Sequence, residues 1–314
     1  MKKKKTKRTY RLRNWKQYNA ALVQRGSLTL WVSDEILAQW RHHGKHNQRG
    51  KPRYYSDTAI YCMATVEEVF HLPLRATEGL MQSIVKLLGL DLPVPDYTTL
   101  CRRRRTLEVV LPRRQNNEPL HLVVDSTGIK VFGEGEWKVR QHGYSQRRTW
   151  RKLHIGADEA THQIVAALIT TNNVADSQVL EDLLEQVEDE IEQVSGDGAY
   201  DKRNCYDAIR GRNATAAIPP RKNARIWQHG NSRSERLIRD ENLRRIRKVG
   251  RSQWKEDVGY HRRSLVETQM FRLKTIFGEK VSARLFEGQA TQLLVRCAAL
   301  NTMTHLGMPD SSAT

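Results

Sequence analysis

The chain has 314 residues, enough for two or three domains, and a hydrophobic fraction of 39% that fits a globular protein. Its apolar runs, such as Ile164 to Ile169, fall well short of the roughly 18–20 residues that span a bilayer, and no apolar stretch follows the charged N-terminus, which argues against a membrane or secretory class. Fifty-three Lys and Arg against 35 Asp and Glu leave a formal charge of +18, which points to a polyanionic partner, with nucleic acid ahead of a membrane surface.

Residues 1–53 form a basic N-terminal segment with 15 Lys and Arg against only Asp34 and Glu35. The first eight residues are expected to order only on phosphate. Gly44 to Pro52 reads as a linker, and His42, His43 and His46 read as solvent-exposed. Residues 54–115 read as a helical, helix-turn-helix-like DNA-binding region. Ser56 or Asp57 caps a first helix running to about Phe70, and residues 74–89 carry an i, i+3/i+4 apolar stripe. Asp96 starts a third helix containing Arg102 to Arg105, with Arg102 and Arg103 as candidate phosphate contacts; a merely solvated basic face is the alternative.

The texture changes near residue 119. His121 to Asp125, Leu153 to Ala157 and Gln163 to Thr170 are strand patterns, with Thr161 and His162 as the turn between the last two. Asp176 is expected to cap a helix over Ser177 to Val194 whose outer face holds seven acids and no base. A fourth strand leads into Gly196-Asp197-Gly198, a helix begins near Asp201, and Thr215 to Ile218 is a fifth strand. Three strands, helix, strand, helix, strand describe a mixed α/β sheet. Residues 219–259 read as a basic, irregular insertion, residues 260–277 as helix, about 288–305 as a final apolar helix, and 308–314 as a loose tail.

The four cysteines are widely spaced with no CxxC pair, which reads as reduced thiols in a cytosolic protein. Gly133-x-Gly135 and Gly196-x-Gly198 read as turns, and the absence of a GxxxxGK[ST] loop leaves no nucleotide cofactor expected.

The chemistry lies in three acids. Asp125 ends the apolar run Leu122-Val-Val124, where a charge is costly unless compensated, and Asp197 lies between two glycines at a strand end. Alone, either acid also suits a turn or a helix cap. Glu267 lies on a helix with Tyr260, Arg263 and Lys274 at spacings of three, four and seven, which puts all four on one face. A carboxylate flanked by two cations and a phenol suits a metal ligand beside a bound phosphate, though Arg263–Glu267 also suits a surface i, i+4 pair.

Tyr260-x2-Arg263-x3-Glu267-x6-Lys274, together with Val-Val-Asp125-Ser-Thr-Gly and Gly-Asp197-Gly-Ala-Tyr200-Asp, resembles the motifs of the bacterial insertion-sequence DDE transposases of the insertion sequence four and five groups. The resemblance runs from about Tyr10 to His305. It is closest to the insertion sequence five group, including the stretch Val131 to Lys138. It implies a ribonuclease H-like catalytic domain over 119–307, preceded by the helical DNA-binding region, with the insertion at about 219–259 gripping DNA. It further implies that Asp125, Asp197 and Glu267 bind two Mg²⁺ or Mn²⁺ ions. Water would cut the element's end and the freed 3′-OH would attack target DNA, while Tyr260, Arg263 and Lys274 hold the backbone. Relatives in the wider superfamily stack a tryptophan on a displaced base, a role open to Trp227 or Trp254, with core packing as the other role for either. The implied partners are double-stranded DNA, at element ends and target, and at least one further copy of the chain in a cytoplasmic, nucleoid-associated complex. A metal-dependent nuclease or resolvase on the same fold, and a catalytically silent DNA-binding relic, are the competing readings.

Overall fold

The computed structural model describes residues 10–43, 53–111, 118–131, 150–228 and 236–313, in two compact units: residues 1–103 with 299–314, and residues 104–298. The basic run at the N-terminus, the Gly44 to Pro52 linker and all but the first residue of the Val131 to Lys138 stretch lie outside the described residues.

The first unit is helical: α1 (Trp15–Gln24), α2 (Leu28–Trp31), α3 (Asp34–Ala38), α4 (Asp57–Val69), α5 (Leu74–Leu87) and α6 (Tyr97–Arg103). The Ser56 hydroxyl accepts from the Ala59 amide and starts α4 as its sequence position implied. The tail differs from expectation. β8 (Ser311–Ala313) pairs antiparallel with β1 (Tyr10–Leu12), so backbone pairing orders a segment whose composition reads as loose.

The second unit is built on a mixed sheet in the order β4-β3-β2-β5-β6, from β2 (Leu120–Val131), β3 (Trp150–Asp158), β4 (Ile164–Thr171), β5 (Ile191–Ser195) and β6 (Thr215–Ala217). The first three strands form an antiparallel meander, and β5 and β6 then add in parallel on the other side of β2. That order and direction are those of a ribonuclease H-like fold. Leu120, Leu122 and Val124 alternate onto one face and pack with Leu180, Leu183 and Leu184 of α7 (Leu180–Glu185) and with Cys205, Tyr206 and Ile209 of α8 (Arg203–Gly211). The opposite face takes α11 (Ser264–Phe277), which buries Val266, Met270, Leu273 and Phe277.

Three boundaries depart from the sequence reading. Strand β2 does not end at Asp125 but continues to Val131, because Thr127, Ile129 and Val131 sustain pairing with β3 as far as Lys130↔Trp150. The helix expected over Ser177 to Val194 is a short 3-10 turn, Asp176–Gln178, and then α7 alone; the β-branched Ile191 and Val194 leave the helical pattern and pair in β5 with β2. The insertion is helical rather than irregular, with α9 (Ile238–Val249) and α10 (Arg251–Asp257). Hydropathy hides α9 because two of the residues it buries are charged, Arg239 and Asp240.

Arg239 anchors that insertion. Its Nε donates to Asp201 Oδ1 at 2.6 Å with both side chains almost wholly buried, and its guanidinium carbon lies 3.8 Å from the Trp227 ring centroid. Removing one member of such a pair strands a buried charge. Arg239→Ala is expected to lower unfolding free energy by about 3–5 kcal/mol in chemical denaturation. A loss under about 1 kcal/mol, the scale of an exposed pair, would show that the site is open to water.

Candidate active site

Strand β2 pairs with β5 only as far as Val123↔Ser195, and with β7 (Lys280–Val281) only at Lys130 and Val131. Asp125 sits in the interval, where among the described residues no strand lies beside that edge of β2. Alternation along β2 puts Asp125 on the same face as Val123, towards α11. The Asp125 carboxylate takes the Ser126 amide at 2.8 Å on Oδ1 and the Arg263 guanidinium at 2.8 Å on Oδ2. Burial is the largest influence and raises its pKa, the Ser126 amide and Arg263 lower it, and with the charges of Asp197 and Glu267 the net shift is upward.

Asp197 follows β5 after one glycine and caps a 3-10 turn, Gly198–Tyr200, accepting from the Ala199 amide at 2.8 Å. A side chain at Gly196 would place its Cβ 2.8 Å from the Tyr200 ring and 3.2 Å from Val124 Cγ2, so this close passage of the chain requires glycine.

Glu267 lies in the first turn of α11 and is exposed. Tyr260 and Arg263 lie just before it in a tighter 3-10 turn, Tyr260–Arg263, rather than in the α-helix expected from residue 260. At three residues per turn they stack above one another, which keeps Arg263 directed at the acids. Its guanidinium joins Asp125 to Glu267, which it contacts through Nη2. Burial opposes its charge, but Tyr260, Asp125, Glu267 and Asp197 together raise its pKa. Lys274 is partly exposed two turns further along α11, on the Glu267 face.

Residues 116–302, more than half of the chain, match a family described as a transposase DDE domain. Residues 23–134 match a second family with the same description. The chain belongs to the DDE transposases. It is 25% identical over 250 residues to an uncharacterised protein of Aquifex aeolicus, covering 71% of this chain and 75% of that one. A cryo-EM structure of piggyBac transposase in a synaptic complex with hairpin DNA aligns with a TM-score of 0.41 at 12% identity, over 96% of this chain and 78% of its own. DDE transposases cut and join DNA and use divalent metal.

This transposase supplies hard oxygen donors suited to Mg²⁺ or Mn²⁺, and the three acids feel one another's charge at Asp125. Among the described residues no three His, Cys, Asp or Glu side chains converge tightly enough to hold an ion. The Arg263 guanidinium lies between two of the three acids and compensates their charge.

The other sequence candidates divide. Arg102 is exposed, whereas Arg103 donates to Asp57 at 2.6 Å and to the Tyr55 carbonyl at 3.0 Å, ties that join α6 to the start of α4. Trp254 is fully buried and donates to Asn242, so no ring face is open to a base. Trp227 is half-buried between Arg239, Arg203 and the edge of Tyr206, again a packing role. Of the two roles the sequence left open for these tryptophans, the structure therefore favours packing.

Sequence reading missed one cluster. Asp176 does not cap a long helix; its carboxylate lies 2.9 Å from Lys152 Nζ and 3.3 Å from His154 Nδ1. Although burial raises its pKa, His154, Lys152 and the Ser126 side chain together hold it well below the usual carboxylate range. Ser126 thus bears on both acids, its side chain lowering the Asp176 pKa and its amide donating to Asp125. Strand alternation could have placed Ser126 beside β3, but nothing local marks Asp176.

A carboxyl whose folded pKa is raised destabilises the protein once ionised. This penalty is absent below the unfolded pKa of about 3.9 and complete above the raised folded value. Asp125→Asn is therefore expected to raise the metal-free Tm at pH 7, with the gap closing as pH falls towards about 3.9. A lower Tm at pH 7 would mean that the Arg263 pair outweighs burial.

Proposed function

We propose that this DDE transposase binds the terminal inverted repeats of a bacterial insertion sequence, cuts at the element ends and joins the freed 3′-OH to target DNA, with Asp125, Asp197 and Glu267 as its catalytic acids. One observation carries the reading: Arg263 joins Asp125 to Glu267, so acids 142 residues apart in sequence come to one guanidinium, with Asp197 close enough to act on both Asp125 and Arg263. Two Mg²⁺ or Mn²⁺ ions held by these carboxylates would lower the pKa of a water and neutralise charge building on the phosphate.

The chain's own groups do the rest. Arg263 moves from the acids to a backbone phosphate when cations replace it as counter-charge, and its planar fork suits two phosphate oxygens. Tyr260 is held beside it, partly buried, with its ring 5.9 Å from the guanidinium. Lys274 binds a phosphate further along the same strand. Helices α9 and α10, with Arg247, Lys248 and Lys255, form the proposed DNA grip of the insertion, and Arg102 contributes from the helical region proposed to recognise the repeats. Two copies act together, since two ends must be brought to one target, and the complex works at the nucleoid. The pattern closest to this chain, that of the insertion sequence five group, is the proposed subfamily.

The test incubates full-length protein with a labelled fragment of its element's end, Mg²⁺ or Mn²⁺, and a supercoiled target, beside Asp197→Asn and Glu267→Gln. Metal-dependent end cleavage with joined product, lost in both variants, is expected. Specific end binding without cleavage would identify a silent relic, and cleavage of arbitrary or branched DNA without joining would identify a nuclease.

A further inference from the structure

Helix α11 buries Val266, Met270, Leu273 and Phe277 at three- and four-residue spacing. Glu267, Phe271 and Lys274 repeat that spacing on another face, within an arc of roughly 60°. Glu267 is exposed and Lys274 partly so. Phe271, one turn beyond Glu267 and one turn short of Lys274, is 69% exposed. A lone exposed apolar side chain is ordinary on a protein surface, so exposure by itself assigns nothing.

The other rings and the neighbouring charges assign more. Among the described residues of the catalytic unit, every other aromatic that reaches the surface has a cation over its ring. Arg239 lies 3.8 Å from the Trp227 centroid, Lys255 4.8 Å from that of Tyr260, Arg151 5.4 Å from that of Phe286, and Lys130 5.5 Å from that of Trp150. Phe271 alone keeps an open ring face, and it does so between a carboxylate and an ammonium. A flat apolar ring beside a cation suits a flat partner that carries its own negative charge. In a family that cuts and joins DNA, that partner is a nucleotide, base against ring and phosphate towards Lys274. Bases inside a duplex hide their faces in the stack, so only an unpaired base can take the place, and leaving the stack costs least where the base is mispaired.

We propose that Phe271 stacks on an unpaired base flanking the cut phosphate, with Lys274 on the phosphate of the same nucleotide. Trp227 and Trp254 are held in packing, so this ring, on the helix of Glu267, is the one the substrate meets. Stacking is indifferent to base identity because every base has a π-face, so Phe271 favours opened ends without reading their sequence. The inference rests on the reading of Glu267 as a catalytic acid.

The test measures binding of full-length protein to labelled fragments of its element's end, without divalent metal so that no strand is cut. The pairs flanking the cut are intact in one fragment and mispaired in the other. Wild type should bind the mispaired end about tenfold more tightly. Phe271→Ala and Phe271→Leu should bind both ends equally, and Phe271→Trp should restore the preference. Because the side chain is exposed, Tm should stay within about 2 °C of wild type in all three. No preference in wild type, a preference kept in Phe271→Ala or Phe271→Leu, or an equal loss of affinity for both ends overturns the proposal. Metal-dependent end cleavage that survives in Glu267→Gln overturns instead the reading of Glu267 beneath it.

Discussion

A carboxylate in the middle of a β-strand, turned towards a packed helix, has to be compensated, and the arrangement of the catalytic unit follows from how Asp125 is accommodated. Burial opposes its ionisation. The backbone answers with the Ser126 amide, and α11 answers with Arg263. Both depend on the sheet: β5 stops pairing at Val123, so among the described residues no strand covers β2 at Asp125, and Asp197 follows from the end of β5. The ribonuclease H-like strand order is thus also what sets the end of β5, and Asp197 after it, beside the stretch of β2 that carries Asp125.

The site is held by charge as much as by packing. Arg263 lies between Asp125 and Glu267 and offsets the charge of both. Asp176 with Lys152 and His154, and Asp201 with Arg239, are further compensated carboxylates around the same end of the sheet.

Strand and helix order was legible from local pattern wherever one periodicity dominated, as in the apolar run into Asp125, the stripe of α5 and the α11 sequence from Ser264. Glu267 was singled out by its helical spacing from Arg263 and Lys274, and Asp125 and Asp197 joined it as candidates only through the family resemblance. Other features depended on partners distant in sequence. The acidic stretch after α7 kept a helical texture into β5, where only pairing with β2 reveals a strand. Helix α9 was masked because Arg239 and Asp240 point inward, against the usual meaning of charge. Trp227 and Trp254 looked available for stacking because sequence carries no measure of burial, and Asp176 is tied to the acids only through the fold.

Asp125, Asp197 and Glu267 are proposed to form one cation-binding centre from which Arg263 withdraws. Anomalous diffraction from crystals of the protein bound to its end DNA with Mn²⁺ tests this most directly. Manganese peaks liganded by all three carboxylates are expected, with the Arg263 guanidinium moved off Asp125 and Glu267 onto a DNA phosphate. Manganese bound elsewhere, or Glu267 still paired with Arg263 outside the coordination shell, would contradict it.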